Sequence, residues 1–87
     1  MKNILVIDDE TDIVELISYN LKKEGFSVDF AYDGETALKM IKGNKYDLII
    51  LDLMLPGIQG LELCRTIRST PEISGLPIIM LTAKGED

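Results

Sequence analysis

The sequence predicts an α/β fold, a doubly wound parallel sheet flanked by helices, and three observations predict it. Strand-type and helix-type patterns alternate along all 87 residues with no low-complexity segment between them, which is the signature of successive βα units. Three apolar runs are unbroken, Ile4-Leu5-Val6-Ile7, Leu48-Ile49-Ile50-Leu51 and Ile78-Ile79-Met80-Leu81, as strands covered on both faces require. Each run stops at oxygen-bearing side chains, Asp8-Asp9, Asp52 and Thr82 respectively. Neighbouring parallel strands would bring those ends to one edge of the sheet, where open α/β sheets place their ligands.

The elements follow in order. Strand β1 is predicted at Asn3 to Ile7, and helix α1 at Thr11 to Glu24. In α1, Ile13, Leu16, Ile17 and Leu21 recur at helical spacing, Asp12-x-x-Glu15 is a start signal, and Gly25 is a left-handed stop. Strand β2 spans Ser27 to Ala31, and helix α2 runs from Glu35 to Lys42 behind Asp33-Gly34, with Ala37, Leu38 and Ile41 as its apolar stripe. Strand β3 is Leu48 to Asp52, helix α3 is Leu61 to Ser69 with Leu61, Cys64 and Ile67 on one face, and β4 is Ile78 to Leu81.

The strands also order themselves. Ser27-Val28-Asp29-Phe30-Ala31 alternates between apolar and polar while the other runs do not, which puts β2 at an edge. The expected order is 2-1-3-4, with the chain reversing direction between β1 and β3. Right-handed crossovers then place α1 on one face and α2 and α3 on the other. One helix is left to cover one side of four strands, and nothing but Ala83-Lys84-Gly85-Glu86-Asp87 follows Thr82. The chain reads as cut short after its fourth strand, and the open apolar edge of β4 predicts self-association.

Composition narrows the function. With 46% hydrophobic residues the chain is too apolar for a disordered tail. Fifteen acids against nine bases give a net charge of −6, so this segment should repel a phosphate backbone, and nucleic acid is not its direct partner. The single cysteine, Cys64, has no internal disulfide partner and no histidine to activate it, which reads as a packed thiol. No leader and no long apolar span is visible, so a cytoplasmic location away from the membrane is expected.

Asp8, Asp9 and Asp52 would bring three carboxylates within several Å, a repulsion that a hard cation resolves. Mg2+ suits such a site because it accepts one or two carboxylates and readily takes a phosphate oxygen. Carboxylates act as nucleophiles in phosphoryl transfer when the charge on the moving group is offset. Asp52 is the candidate nucleophile, since Leu53-Met54-Leu55-Pro56-Gly57 after it is a turn that exposes a side chain and offers a backbone carbonyl to a metal. Thr82 would stand beside it and could donate its hydroxyl to a phosphoryl oxygen. Each residue alone has a plainer reading: Asp8, Asp9 and Glu10 as complements to a helix dipole, Asp52 as a cap, Thr82 as a strand residue, Lys84 as a solvated lysine. Leu55 and Ile58 read equally as core anchors or as partner contacts.

Taken together, Ile4-Leu5-Val6-Ile7-Asp8-Asp9-Glu10, Asp47 to Gly57 and Ile78-Ile79-Met80-Leu81-Thr82-Ala83 closely resemble the receiver domain of two-component response regulators over all 87 residues. The resemblance implies a flavodoxin-like fold lacking its fifth βα unit, so that residues 1–87 form one receiver domain incomplete at its C-terminus. It implies that Asp52 accepts a phosphoryl group from a sensor histidine kinase. It also implies that Asp8, Asp9, Asp52 and the Met54 carbonyl hold Mg2+, and that Thr82 is the switch residue that binds the phosphoryl group. The Met-Leu-Pro-Gly segment resembles the class of transcription factors that carry a winged helix, which would bind DNA through a domain outside this chain. The absent unit would carry the lysine that pairs with the phosphoryl group, so the segment by itself is expected to be impaired; Gln59 replaces a frequent aspartate and should be tolerated. Any catalysis would be confined to the chain's own phosphorylation and dephosphorylation. The alternative is a receiver-like binding or structural module without phosphotransfer. A haloacid dehalogenase-type phosphatase would need a second Asp where Met54 stands, and no glycine-rich turn supports a dinucleotide site.

Overall fold

A computed structural model describes residues 2–52 and 60–81. Strands β1 (Asn3–Ile7), β2 (Ser27–Ala31), β3 (Leu48–Asp52) and β4 (Ile78–Leu81) form one sheet in the order β2-β1-β3-β4. All three pairings are parallel, with Ile7 opposite both Ala31 and Leu51, and Asp52 opposite Leu81. The predicted strands, their bounds and their order are those observed.

Helices α1 (Thr11–Lys23), α2 (Gly34–Gly43) and α3 (Gly60–Arg68) lie between the strands, and a 3-10 turn at Pro71–Ile73 precedes β4. Their ends obey local chemistry. Gly25 takes φ +96°, the left-handed conformation that closes a helix. Asp33 caps α2 by accepting from the Thr36 amide at 2.7 Å and from its hydroxyl at 3.0 Å. The start of α1 differs from expectation: Glu10, not Asp12, is the N-cap, and its side chain makes no capping bond.

Two apolar clusters lie on opposite faces of the sheet. The larger joins Leu5, Ile7, Ile49 and Leu51 to Ala37 and Ile41 of α2 and to Leu63 and Ile67 of α3. The smaller joins Ile4 and Val6 to Val14 of α1, with Ile17, Leu21, Val28, Leu48 and Ile50 half-buried around it. This is the division that right-handed crossovers impose. Truncating a fully buried Leu or Ile of the larger cluster should cost about 2–5 kcal/mol.

Two apolar stripes are rotated from the predicted ones. Leu16 is 61% exposed, and α1 instead buries Val14 and Ser18. Leu61 is 55% exposed, and α3 faces the core with Gly60, Leu63 and Ile67. In each case an apolar residue at acceptable helical spacing falls on the outer flank of the helix. Cys64 is a half-buried free thiol packed against the larger cluster.

Candidate metal and phosphoryl-acceptor site

The sheet itself brings the acids together. Ile7 pairs with Leu51, so the next residues on the two strands, Asp8 and Asp52, lie side by side at the spacing of neighbouring strands, about 4.8 Å between backbones. The Asp8 amide donates to the Ala31 carbonyl at 3.1 Å, extending the β1–β2 ladder one residue and fixing where Asp8 leaves the sheet. Asp9 follows on the way to α1 and is exposed.

Oxygens of Asp8, Asp9 and Asp52 all lie within 4.8 Å of one another. Two ligands facing each other across a Mg2+ ion are about 4.2 Å apart, twice its 2.0–2.1 Å bond length. Three oxygen donors at this spacing therefore fit one small hard cation after modest side-chain movement, and an all-carboxylate set suits Mg2+ better than a softer metal.

Asp8 is the buried member, 5% exposed. Burial pushes its carboxyl above the usual carboxylate range, and the neighbouring Asp52 and Asp9 carboxylates, with a hydrogen bond to Asp52, push the same way. The Glu10 amide opposes them by donating to Asp8 Oδ1 at 2.9 Å. One oxygen of Asp8 is thus held by backbone while the carboxyl also engages Asp52. Sequence reading identified the three acids but not the Glu10 amide or the Ala31 carbonyl, because a backbone group gives no residue-type signal.

Thr82, Met54, Lys84, Leu55, Ile58 and Gln59 lie outside the described residues. Leu81, the last described residue of β4, pairs with Asp52.

Residues 4–87 match the response regulator receiver domain family. The chain belongs to this family. The receiver is 48% identical over its 87 residues to the phosphate regulon transcriptional regulatory protein PhoB of Rhizobium meliloti, and it spans 38% of that protein's length. It is similar to the response regulator TrrA of Thermotoga maritima, whose structure is a complex with Mg(2+)-BeF; identity is 47% and the TM-score 0.89, covering 98% of this chain and 72% of that one. The N-terminal domain of a response regulator receiver protein from Methanoculleus marisnigri superposes with a TM-score of 0.93 at 32% identity, covering 100% of this receiver and 71% of that chain. None of the described helices is long and apolar enough to cross a membrane.

Proposed function

We propose that this receiver is the phosphoacceptor switch of a two-component system, taking a phosphoryl group onto Asp52 from a phosphohistidine on a sensor kinase. The observation that carries this reading is the meeting of Asp8, Asp9 and Asp52 within 4.8 Å at the point where strand order reverses, in a chain of this family. An Asp52 oxygen forms the new O–P bond as the donor's P–N bond breaks, and the electron pair of that bond returns to the imidazole nitrogen. Asp8, Asp9 and Asp52 hold a divalent cation, Mg2+ by their chemistry, with the Met54 carbonyl as a further ligand. When bound, the ion offsets charge on the phosphoryl oxygens. The Glu10 amide keeps Asp8 oriented, and the Thr82 hydroxyl donates to the transferred group.

The wider reading follows from PhoB. The receiver works in the cytoplasm as the regulatory part of a transcription factor whose DNA contacts lie outside this acidic segment. As an isolated chain, it associates with a second copy through the β4 edge, where Ile79 is 51% exposed.

The test is incubation with Mg2+ and acetyl phosphate, in this chain and in a version extended to the length of its relatives. An acid-stable, hydroxylamine-labile adduct that disappears in Asp52→Asn is the expected result. No adduct in either version would leave the receiver as a binding module without phosphotransfer.

A further inference from the structure

Every residue of β4 is apolar, Ile78-Ile79-Met80-Leu81, and this creates a problem of register. A strand slipped by one residue exchanges its two faces, and alternation normally penalises the slip by exposing apolar and burying polar side chains. Here the exchange replaces apolar with apolar on both faces. Burial therefore discriminates weakly between the observed pairing and its neighbours. The pairing still matters, because it sets which residue stands opposite Asp52: Leu81 as observed, and Met80 or Thr82 after a slip of one.

What fixes the start of β4 lies at the other end of the strand. Arg68, in the last turn of α3, donates from one guanidinium nitrogen, Nη1, to the Ser74 carbonyl at 2.8 Å and the Leu76 carbonyl at 2.7 Å. These charge-assisted bonds grip the connection immediately before Pro77. The Pro77 carbonyl in turn accepts from the Ile49 amide at 2.9 Å, the rung with which β4 joins β3. The Leu76 amide donates to the Ile73 carbonyl at 3.1 Å, closing the same turn. The length of chain between α3 and the first β4 rung is thus held by the Arg68 side chain together with the Ile73–Leu76 turn.

We propose that Arg68 is a positioning residue that sets the register of β4 on β3, and thereby determines which β4 residue is delivered beside Asp52. Its consequence for phosphotransfer rests on the phosphoacceptor reading above, whereas the register itself does not.

The experiment is NMR on the intact chain, without any phosphodonor, comparing wild type with Arg68→Ala, Arg68→Lys and the double variant Arg68→Ala/Ile79→Thr. Wild type should show cross-strand contacts Ile50–Ile79 and Asp52–Leu81 and a single set of β4 resonances. Arg68→Ala should show a second set, or exchange broadening confined to β4 and its neighbours, from a slipped state at about a tenth of the population. Arg68→Lys keeps a donor and should reduce that minor state. Ile79→Thr puts a polar group on the exposed β4 position, restores alternation, and should return the double variant to one register. A contact that only adds stability would not be rescued in this way. A single, unslipped register in Arg68→Ala, with nothing lost but melting temperature, would overturn the proposal. If Arg68→Ala does not fold, Arg68→Lys against Arg68→Lys/Ile79→Thr gives the same comparison, and equal β4 spectra in those two overturn it. Failure of Asp52 phosphorylation with an intact register effect would count against the phosphoacceptor reading alone.

Discussion

The Tyr46 hydroxyl donates to the Asp29 carboxylate at 2.8 Å, tying the segment before β3 to the outer strand β2. Partial burial and the facing carboxylate push the phenol up to about 12. Because the folded value exceeds 10.0, that of an unperturbed tyrosine, this group favours folding below pH 10 and the contribution is lost as pH rises through about 12. In a spectrophotometric titration, Tyr46→Phe should remove an ionisation step near pH 12. The substitution should destabilise the fold by about 1 kcal/mol at neutral pH in a urea titration.

Asp8 bears the opposite consequence at neutral pH. Its folded-state value lies above the 3.8 of an unperturbed Asp, so the carboxyl supports folding below that pH and ceases to do so as pH rises through the folded value. Without divalent cation at pH 7, Asp8→Asn should therefore be more stable than wild type. Adding Mg2+ should raise the melting temperature of wild type but not of Asp8→Asn or Asp52→Asn. Equal responses in the three proteins would remove the acid cluster as the binding site.

Ser18 sits in the middle of α1, 7% exposed, and its buried hydroxyl has no hydrogen-bond partner among the described residues. Burying a hydroxyl without a partner opposes folding. Ser18→Ala should raise stability by about 1 kcal/mol, and its better helix propensity acts in the same direction. Thermal denaturation of the two proteins checks this.

Gly25 is in the left-handed region at φ +96°, and a Cβ there would meet nothing within 4 Å. Any cost of Gly25→Ala therefore comes from backbone conformation and not from a clash, and should be about 1 kcal/mol. Asn, which tolerates this region better, should recover part of the loss.

Self-association through β4 makes a separate prediction. Ile79→Lys places a charge on the exposed strand position and should shift the chain toward monomer in sedimentation velocity. A wild-type chain that sediments as a monomer at every concentration would dismiss the idea.

Much of this architecture was legible in the residues because parallel strands have a simple signature. Unbroken apolar runs located β1, β3 and β4, and the alternation of Ser27 to Ala31 correctly put β2 at the edge. The three aspartates were legible for the same reason, since a strand's last residue is fixed once the run is seen. Helix faces were harder to read. At 3.6 residues per turn, Leu16 and Leu61 are compatible with an apolar stripe yet lie at its flank, and only packing against a particular sheet distinguishes flank from centre. The Arg68 bracket was invisible because its acceptors are carbonyls, which every residue possesses.

The two apolar clusters differ greatly in size, and this has a consequence for how the molecule comes apart. One side of the sheet is secured by two helices and a continuous layer of fully enclosed side chains, while α1 inserts Val14 alone as a fully enclosed apolar anchor. Local opening is easiest where the fewest apolar contacts must be broken. Of the three described helices, α1 gives up the fewest fully enclosed apolar side chains on detaching, and it begins at Thr11, two residues beyond Asp9. A cation held between Asp8 and Asp9 should therefore steady α1, which slower amide exchange in that helix on addition of Mg2+ would register.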